Sequence, residues 1–280
     1  MRPRAITILF LAVSLVLPAG TVAEELEMIN RPVNSQGLTG LLFTTSPYTL
    51  PHRTFEIGLS TLSERSFSPD YTVNGYPVTV SYGLNRSMEM ALKGSFWYQE
   101  NAAQEGSRGF SDAELAFKWC VVPPREYSSR PSMAILLKGV VPTGDRMAGT
   151  NIVVNWGAGI GLSVGGEVFI EDYVMGYYAD SMLLTQDLSN EEKRDQYYTA
   201  NAGVLLPISK YRNLQMFLEY NILHDHDRIN LYDVDYTAVT YGLRLVNSRY
   251  NLTFGTQFKH RSEPNYDNAS KITLIASIKI

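Results

Sequence analysis

The feature that most constrains this chain is a pair of alternating runs near its C-terminal end, residues 237–245 and 250–259. In the first, Thr237, Val239, Tyr241, Leu243 and Leu245 are apolar or β-prone and are interleaved with Ala238, Thr240, Gly242 and Arg244. In the second, Tyr250, Leu252, Phe254, Thr256 and Phe258 alternate with Asn251, Thr253, Gly255, Gln257 and Lys259. Period two over about ten residues gives a strand with one greasy face and one polar face. The short break Val246-Asn247-Ser248-Arg249 joins the two runs into a β-hairpin. A tilted strand of about ten residues is also long enough to cross a hydrocarbon core.

The same alternation recurs along residues 54–280 and predicts about twelve strands. They cover 54–63, 76–84, 87–98, 111–120, 132–141, 151–164, 167–178, 196–206, 213–222, the hairpin itself, and 271–280. The run at 167–178 is the least regular, because Glu171 and Asp172 interrupt it. Connections alternate in length. Those at 84–86, 165–166, 207–212 and 246–249 are short, and those at 64–75, 100–110, 142–150, 180–195, 223–234 and 260–270 are longer and polar. Residues 121–131 are a long connection on the short side. A soluble β-sandwich would share the alternation. It has no need of an even strand count, uniform strand length or loop asymmetry. The expected fold is therefore all-β: one antiparallel transmembrane β-barrel in the bacterial outer membrane, with both termini periplasmic and the long loops outside. Closure leaves no unpaired edge, which lipid demands. The loops at 142–150 and 180–195 are expected to form an outer vestibule.

Residues 1–23 read as a secretory signal peptide: Arg2 and Arg4, an apolar run over 5–17, then Thr21-Val22-Ala23. Its removal leaves 22 basic against 28 acidic side chains, a net charge of −6. A mildly acidic chain is a poor fit to nucleic acid, so no nucleic-acid partner is expected. The partners expected are outer-membrane lipid, the outer-membrane assembly machinery and a small solute. Cys120 is the single cysteine, so no intramolecular disulfide forms. Tyr (18) far outnumbers Trp (3), which suits the interfacial girdles of a membrane barrel and also ordinary strand preference. Residues 24–53 carry Gly37-Leu38-Thr39-Gly40-Leu41-Leu42 and Ser46-Pro47-Tyr48-Thr49-Leu50-Pro51. Their Gly and Pro content argues against a spanning strand. This N-terminal segment lines the periplasmic mouth, partly plugs the lumen or adds a short strand. The barrel proper is 54–280.

Two stretches carry a resemblance. Ser111-Asp112-Ala113-Glu114-Leu115-Ala116-Phe117-Lys118 is followed by Leu137-Lys138-Gly139-Val140-Val141-Pro142-Thr143-Gly144-Asp145-Arg146. Together they resemble outer-membrane transporters of the phenol-degradation meta-pathway type. The N-terminal Gly-Leu-Thr-Gly-Leu-Leu and Leu50-Pro51 stretch is similar to exopolysaccharide-associated outer-membrane barrel proteins. The resemblance covers most of the mature chain in pattern and about thirty residues in motif. It implies a membrane barrel with a transport role. Barrels of this kind end in Phe, whereas this chain ends in Ile280.

The inward faces should carry Glu56, Glu89, Lys93, Asp112, Glu114, Lys118, Lys138, Glu219, Arg244, Lys259, Lys271 and Lys279. One reading is a hydrated lumen whose mixed charges select what passes. The other is a lumen closed by cross-strand ion pairs. Twelve strands lie between the filled eight-stranded and the open larger barrels, so size does not decide. His224-Asp225-His226-Asp227 has metal-ligand chemistry but sits in an outer loop, where a solvated role is expected and no metal is assigned. The histidines, His52, His224, His226 and His260, fall outside the predicted strands and in no lipase-like motif. A nucleophilic serine would lack its base, so no catalytic residue, no enzyme activity and no cofactor is expected. Gly157, Gly159 and Gly161 match no phosphate loop. The expected function is a passive channel or transporter for small organic solutes. The alternative is a non-conducting structural or assembly barrel linked to exopolysaccharide export.

Overall fold

The computed structural model describes residues 29, 31–67, 70–101, 104–124, 130–144, 154–170, 173–188, 194–208, 212–225, 235–261 and 268–280. The expected signal peptide, most of the 142–150 loop and the tip of the 180–195 loop lie outside them.

Thirteen strands form one antiparallel sheet: β1 (Phe55–Phe67), β2 (Asp70–Asn85), β3 (Met88–Asn101), β4 (Gln104–Phe110), β5 (Ala113–Val122), β6 (Ser132–Val141), β7 (Val154–Ile170), β8 (Tyr173–Leu188), β9 (Arg194–Pro207), β10 (Leu214–Asp225), β11 (Tyr236–Val246), β12 (Tyr250–Arg261) and β13 (Ala269–Lys279). β1 pairs with β13 from Glu56↔Lys279 to Ser66↔Ala269, and this closes the sheet. β3 pairs with β5 from Met88↔Trp119 to Lys93↔Glu114, then with β4 from Phe96↔Phe110 to Asn101↔Gln104. β4 and β5 thus share one place in the wall, broken at Ser111-Asp112. The result is a closed barrel of twelve strands. The rim where Phe55 and Ile280 exchange backbone hydrogen bonds is called the lower rim here.

The barrel is inverted relative to a soluble fold, and the period-two pattern is the cause. On β10, Met216, Leu218 and Tyr220 are exposed, while Gln215, Phe217, Glu219 and Asn221 between them are buried. On β11, Val239, Tyr241, Leu243 and Leu245 face out and Ala238, Thr240 and Arg244 face in. Ile160 is 60% exposed and Glu56 0%. Only a surrounding apolar medium makes that arrangement favourable. The hairpin of residues 237–259 forms as expected, with Tyr241↔Thr256 and Leu243↔Phe254 in register. Aromatic pairs stiffen the outer face, including Phe55 on Tyr82 at 4.3 Å and Phe96 on Phe110 at 5.3 Å.

Several boundaries differ from the sequence expectation. Gly165-Gly166 is no turn: β7 runs through it to Ile170, which pairs with Tyr173 of β8. The glycines sit opposite Tyr178 and Tyr177. A Cβ at Gly165 would lie 2.6 Å from the Tyr178 ring, and one at Gly166 would lie 2.6 Å from the Tyr177 hydroxyl. They answer a close approach of rings, not a reversal. β4 was expected as part of a loop, because Gln104–Phe110 lacks apolar alternation. It is held as a strand by the overlong β3 beside it. His224 lies in β10 and His260 in β12, not in loops.

Candidate lumen site

Residues 31–50 pass inside the wall without regular structure. Two isolated bridges, Val33↔Thr39 and Gly40↔Thr45, fold the segment into compact bends. Asn34 Oδ1 accepts from the amides of Gln36 and Leu38, and Gly37 turns the chain at φ 85°. Leu38, Leu41, Leu42 and Leu50 are buried. With Ile29 and Tyr48, Leu41 and Leu42 pack against Val174, Tyr178, Leu205, Phe217 and Ile275 of the wall. Leu38 packs against Ala91, Ala116 and Leu136. These are inward positions, so the lumen carries two apolar patches within a polar surface. Gly255 provides room for Leu42: a Cβ there would meet Leu42 Cδ2 at 2.5 Å.

A coil buried in this way has backbone donors and acceptors with no ladder partner. The bends of the segment pair some of them, as in Asn34 N on Leu38 O and Ser46 N on Thr39 O, and the wall supplies partners for others. Glu89 accepts from the Thr39 amide at 2.7 Å, the Thr39 hydroxyl at 3.0 Å and the Leu50 amide at 2.8 Å. Glu219 accepts from the Phe43 amide at 3.1 Å and the Thr44 amide at 2.8 Å. Asp180 accepts from the Thr45 amide, Glu56 from the Val33 amide at 3.3 Å, and Glu167 from the Ile29 amide at 3.1 Å. The carbonyls are met by cations and hydroxyls. Lys118 donates to Thr39 O and Ser46 O at 3.2 Å, Arg244 to Gly40 O at 2.9 Å, Ser163 to Thr45 O at 2.7 Å, and Ser81 to Gly37 O. Each pairing avoids roughly 1–3 kcal/mol of desolvation that an orphaned buried group would cost.

Arg31 ties the start of the segment to the wall. Its guanidinium lies 3.7 Å over the Tyr48 ring, donates to the Tyr178 hydroxyl at 2.7 Å and pairs with Glu167. Above this level, Asp180, Asn201, Asn221, Thr240 and Gln257 form a chain of hydrogen bonds on the inner face of β8 to β12.

Of the inward charges expected from sequence, Glu56, Glu89, Lys118, Glu219 and Arg244 are 0–1% exposed and engage the segment. They do not face a water-filled passage. Lys93, Glu114, Lys138 and Lys259 keep more exposure. Glu114 lies 3.3 Å from Lys93 and 2.7 Å from Lys138, with side-chain exposures of 23%, 13% and 14%. Lys138 also donates to Gln36 of the segment at 3.3 Å. Lys259 lies 2.7 Å from Glu64, which also holds Arg261 at 3.3 Å. Lys271 stands 5.1 Å from the Phe43 ring, and Lys279 is the register partner of Glu56.

Asp112 departs from its expected place. It lies in the break between β4 and β5, and its Oδ1 accepts from the Gly144 amide at 2.7 Å, while Thr143 Oγ1 accepts from Ala113 N at 2.9 Å. The carboxylate therefore braces the turn after β6. His224 pairs with Asp235 at 2.9 Å, and His226 lies outside the described residues. Among the described residues no group of three or more His, Cys, Asp or Glu is placed to hold a metal ion. Glu64, Glu167, Asp180, Arg31 and Arg261 were not singled out by sequence. Glu64 extends the inward row Glu56, Gly58, Ser60, Leu62, so period two was the available signal for it.

No protein-family model and no curated protein matches the chain. Solved structures do. The COG4313 outer membrane channel from Pseudomonas putida F1 superposes with a TM-score of 0.60 at 10% identity, over 84% of this chain and 98% of that one. The NanC porin gives a TM-score of 0.53 at 12% identity, over 79% and 100%. LpxR from Salmonella typhimurium gives 0.52 at 11% identity, over 80% and 99%. The likeness is one of fold. This chain has the closed barrel of outer-membrane proteins.

Proposed function

We propose that the chain is an outer-membrane channel for small organic solutes whose lower lumen is closed by residues 29–50. Both termini are then periplasmic, and the barrel wall meets lipid after insertion by the assembly machinery. The observation that carries this reading is the binding of the segment. The amides of Ile29, Val33, Thr39, Phe43, Thr44, Thr45 and Leu50 are taken up by side-chain carboxylates of the wall, and others bond within the segment, so no ladder joins it to a wall strand. Such a segment can leave without unzipping a strand, and the carboxylates it exposes become a hydrated, charged passage. The channel and porin among the structures of the same fold support the reading.

The second reading is a non-conducting structural or assembly barrel of the envelope, linked to exopolysaccharide export. The apolar seating of Leu41 and Leu42 favours it, because it makes the closed state tight. Planar-bilayer recordings of the refolded mature chain and of a chain lacking residues 24–50 separate the two. The channel reading expects rare openings from the first and stable steps from the second. Two folded barrels that both stay silent leave only the structural reading.

A further inference from the structure

We propose that the upper lumen holds a binding site for small organic carboxylates, built on Lys93, Glu114 and Lys138 and capped by Gln36. The inference deepens the channel reading by naming a solute class, and it rests on that reading for its role in transport.

Charge is unevenly distributed along the lumen. In the lower half, carboxylates prevail, and they are consumed by the amides of residues 29–50 as described above. Among the described upper side chains that face the lumen, Lys93, Lys138, Lys259 and Arg261 outnumber Glu64 and Glu114. Glu114 sits between two ammonium groups, Lys138 at 2.7 Å and Lys93 at 3.3 Å. Among these three side chains one carboxylate faces two ammonium groups, so the trio carries a net positive charge, while the Asp112 carboxylate near Glu114 is engaged by the Gly144 amide. The lysines come from β3 and β6 on either side of the β5 glutamate, which holds them apart at a fixed spacing. A carboxylate has two oxygens to offer such a pair. Lys138 meanwhile spends one donor on a neutral acceptor, the Gln36 side-chain oxygen at 3.3 Å. An anionic oxygen is the stronger acceptor and displaces it. The three wall side chains retain 13–23% exposure, so they reach lumen water, unlike Glu89 and Lys118 at 0%.

The opposite wall reinforces the sign. Lys259 on β12 lies six places around the closed strand order from β6, which puts it across the barrel. There Glu64 again holds two cations, Lys259 and Arg261. A narrow lumen with low-dielectric walls focuses such a field on whatever lies between. Gln36 is on the bend of the inner segment next to Gly37, so a ligand that takes its place on Lys138 touches the segment that closes the barrel.

The test is titration of the refolded mature chain with succinate, with succinamide as the uncharged control. Saturable succinate binding, no succinamide binding, and weakening of roughly tenfold or more in Lys93→Gln/Lys138→Gln is the expected result, the lower end of what focused charge does to local ion concentration. The variant must keep the wild-type unfolding temperature. Failure to bind succinate, equal binding of succinamide, or binding indifferent to both lysines overturns the proposal. Bilayer current decides the channel reading separately: succinate binding in a silent barrel retains the site and removes its transport role.

Discussion

Glu89 grips Thr39 with both carboxylate oxygens, Oε1 on the amide at 2.7 Å and Oε2 on the hydroxyl at 3.0 Å, while Lys118 stands 3.3 Å away. All of this is dry: Glu89 and Lys118 are 0% exposed. Glu89→Gln keeps the shape and removes the charge that balances Lys118. Breaking a buried pair from one side costs about 3–5 kcal/mol. The loss should fall mainly on the docking of residues 31–50, since β3 and β5 remain paired by backbone. The expected outcome is faster chymotrypsin cleavage at Phe43 or Tyr48, inside the docked segment, with little change in barrel unfolding temperature. Unchanged cleavage would show that Glu89 does not hold the segment.

Gly255 and Leu42 form a steric pair that can be tested from both sides. A Cβ at Gly255 would meet Leu42 Cδ2 at 2.5 Å, with the next neighbour, Phe217 Cζ, at 3.2 Å. Gly255→Ala should therefore push Leu42 out of its seat, at about 1–3 kcal/mol for an overpacked site. Adding Leu42→Ala frees that space and should restore docking in part, so the two substitutions couple. Protease protection of the segment, compared across wild type, both single variants and the double variant, measures the coupling. Strictly additive losses would mean that the two residues do not meet.

The wall was legible in the sequence because lipid and lumen impose opposite demands on successive residues. Tyr241, Leu243 and Leu245 announce one face, and Thr240, Gly242 and Arg244 announce the other. What occupies the lumen was less legible. The charges of Glu56, Glu89, Glu219 and Arg244 were assignable to the inner face, but their partners are amides and carbonyls of residues 29–50. Backbone groups are the same in every residue and leave no mark on composition. The inward charges therefore looked like a filter, although the structure places these ones against a buried coil. β4 was hidden for a related reason: Gln104–Phe110 has no alternation of its own, and its strand form depends on β3. Gly165-Gly166 misled because glycine marks both reversals and close approaches.

The outer face should tolerate charge poorly. Leu218 points outward on β10 and is 51% exposed in a band with Met216 and Tyr220. If lipid covers that band, Leu218→Arg costs about 2–4 kcal/mol near the midplane. In a soluble barrel the same change would be close to neutral, as for most surface substitutions. Denaturant unfolding of the refolded protein in lipid vesicles reads the difference directly. An unchanged midpoint would place Leu218 outside the hydrocarbon.

Arg31 and Glu167 make the most demanding case, because their pair is buried on both sides, at 6% and 3% side-chain exposure. Arg31 also stacks on Tyr48 at 3.7 Å, so its loss removes packing as well as charge. Arg31→Ala leaves the Glu167 carboxylate with the Ile29 amide as a donor, at 3.1 Å. Glu167→Gln leaves a buried guanidinium on the Tyr178 hydroxyl and the Tyr48 face. Each single change should weaken docking of the segment by about 3–5 kcal/mol, the cost of an uncompensated buried charge. Arg31→Met with Glu167→Leu removes both charges and keeps volume. Buried ion pairs replaced by packed apolar groups are often neutral or better, so this double variant should protect the segment from protease more than either single variant does. Greater exposure in the double variant than in both singles would instead mean that the ion pair itself, and not the relief of burial, seats the segment.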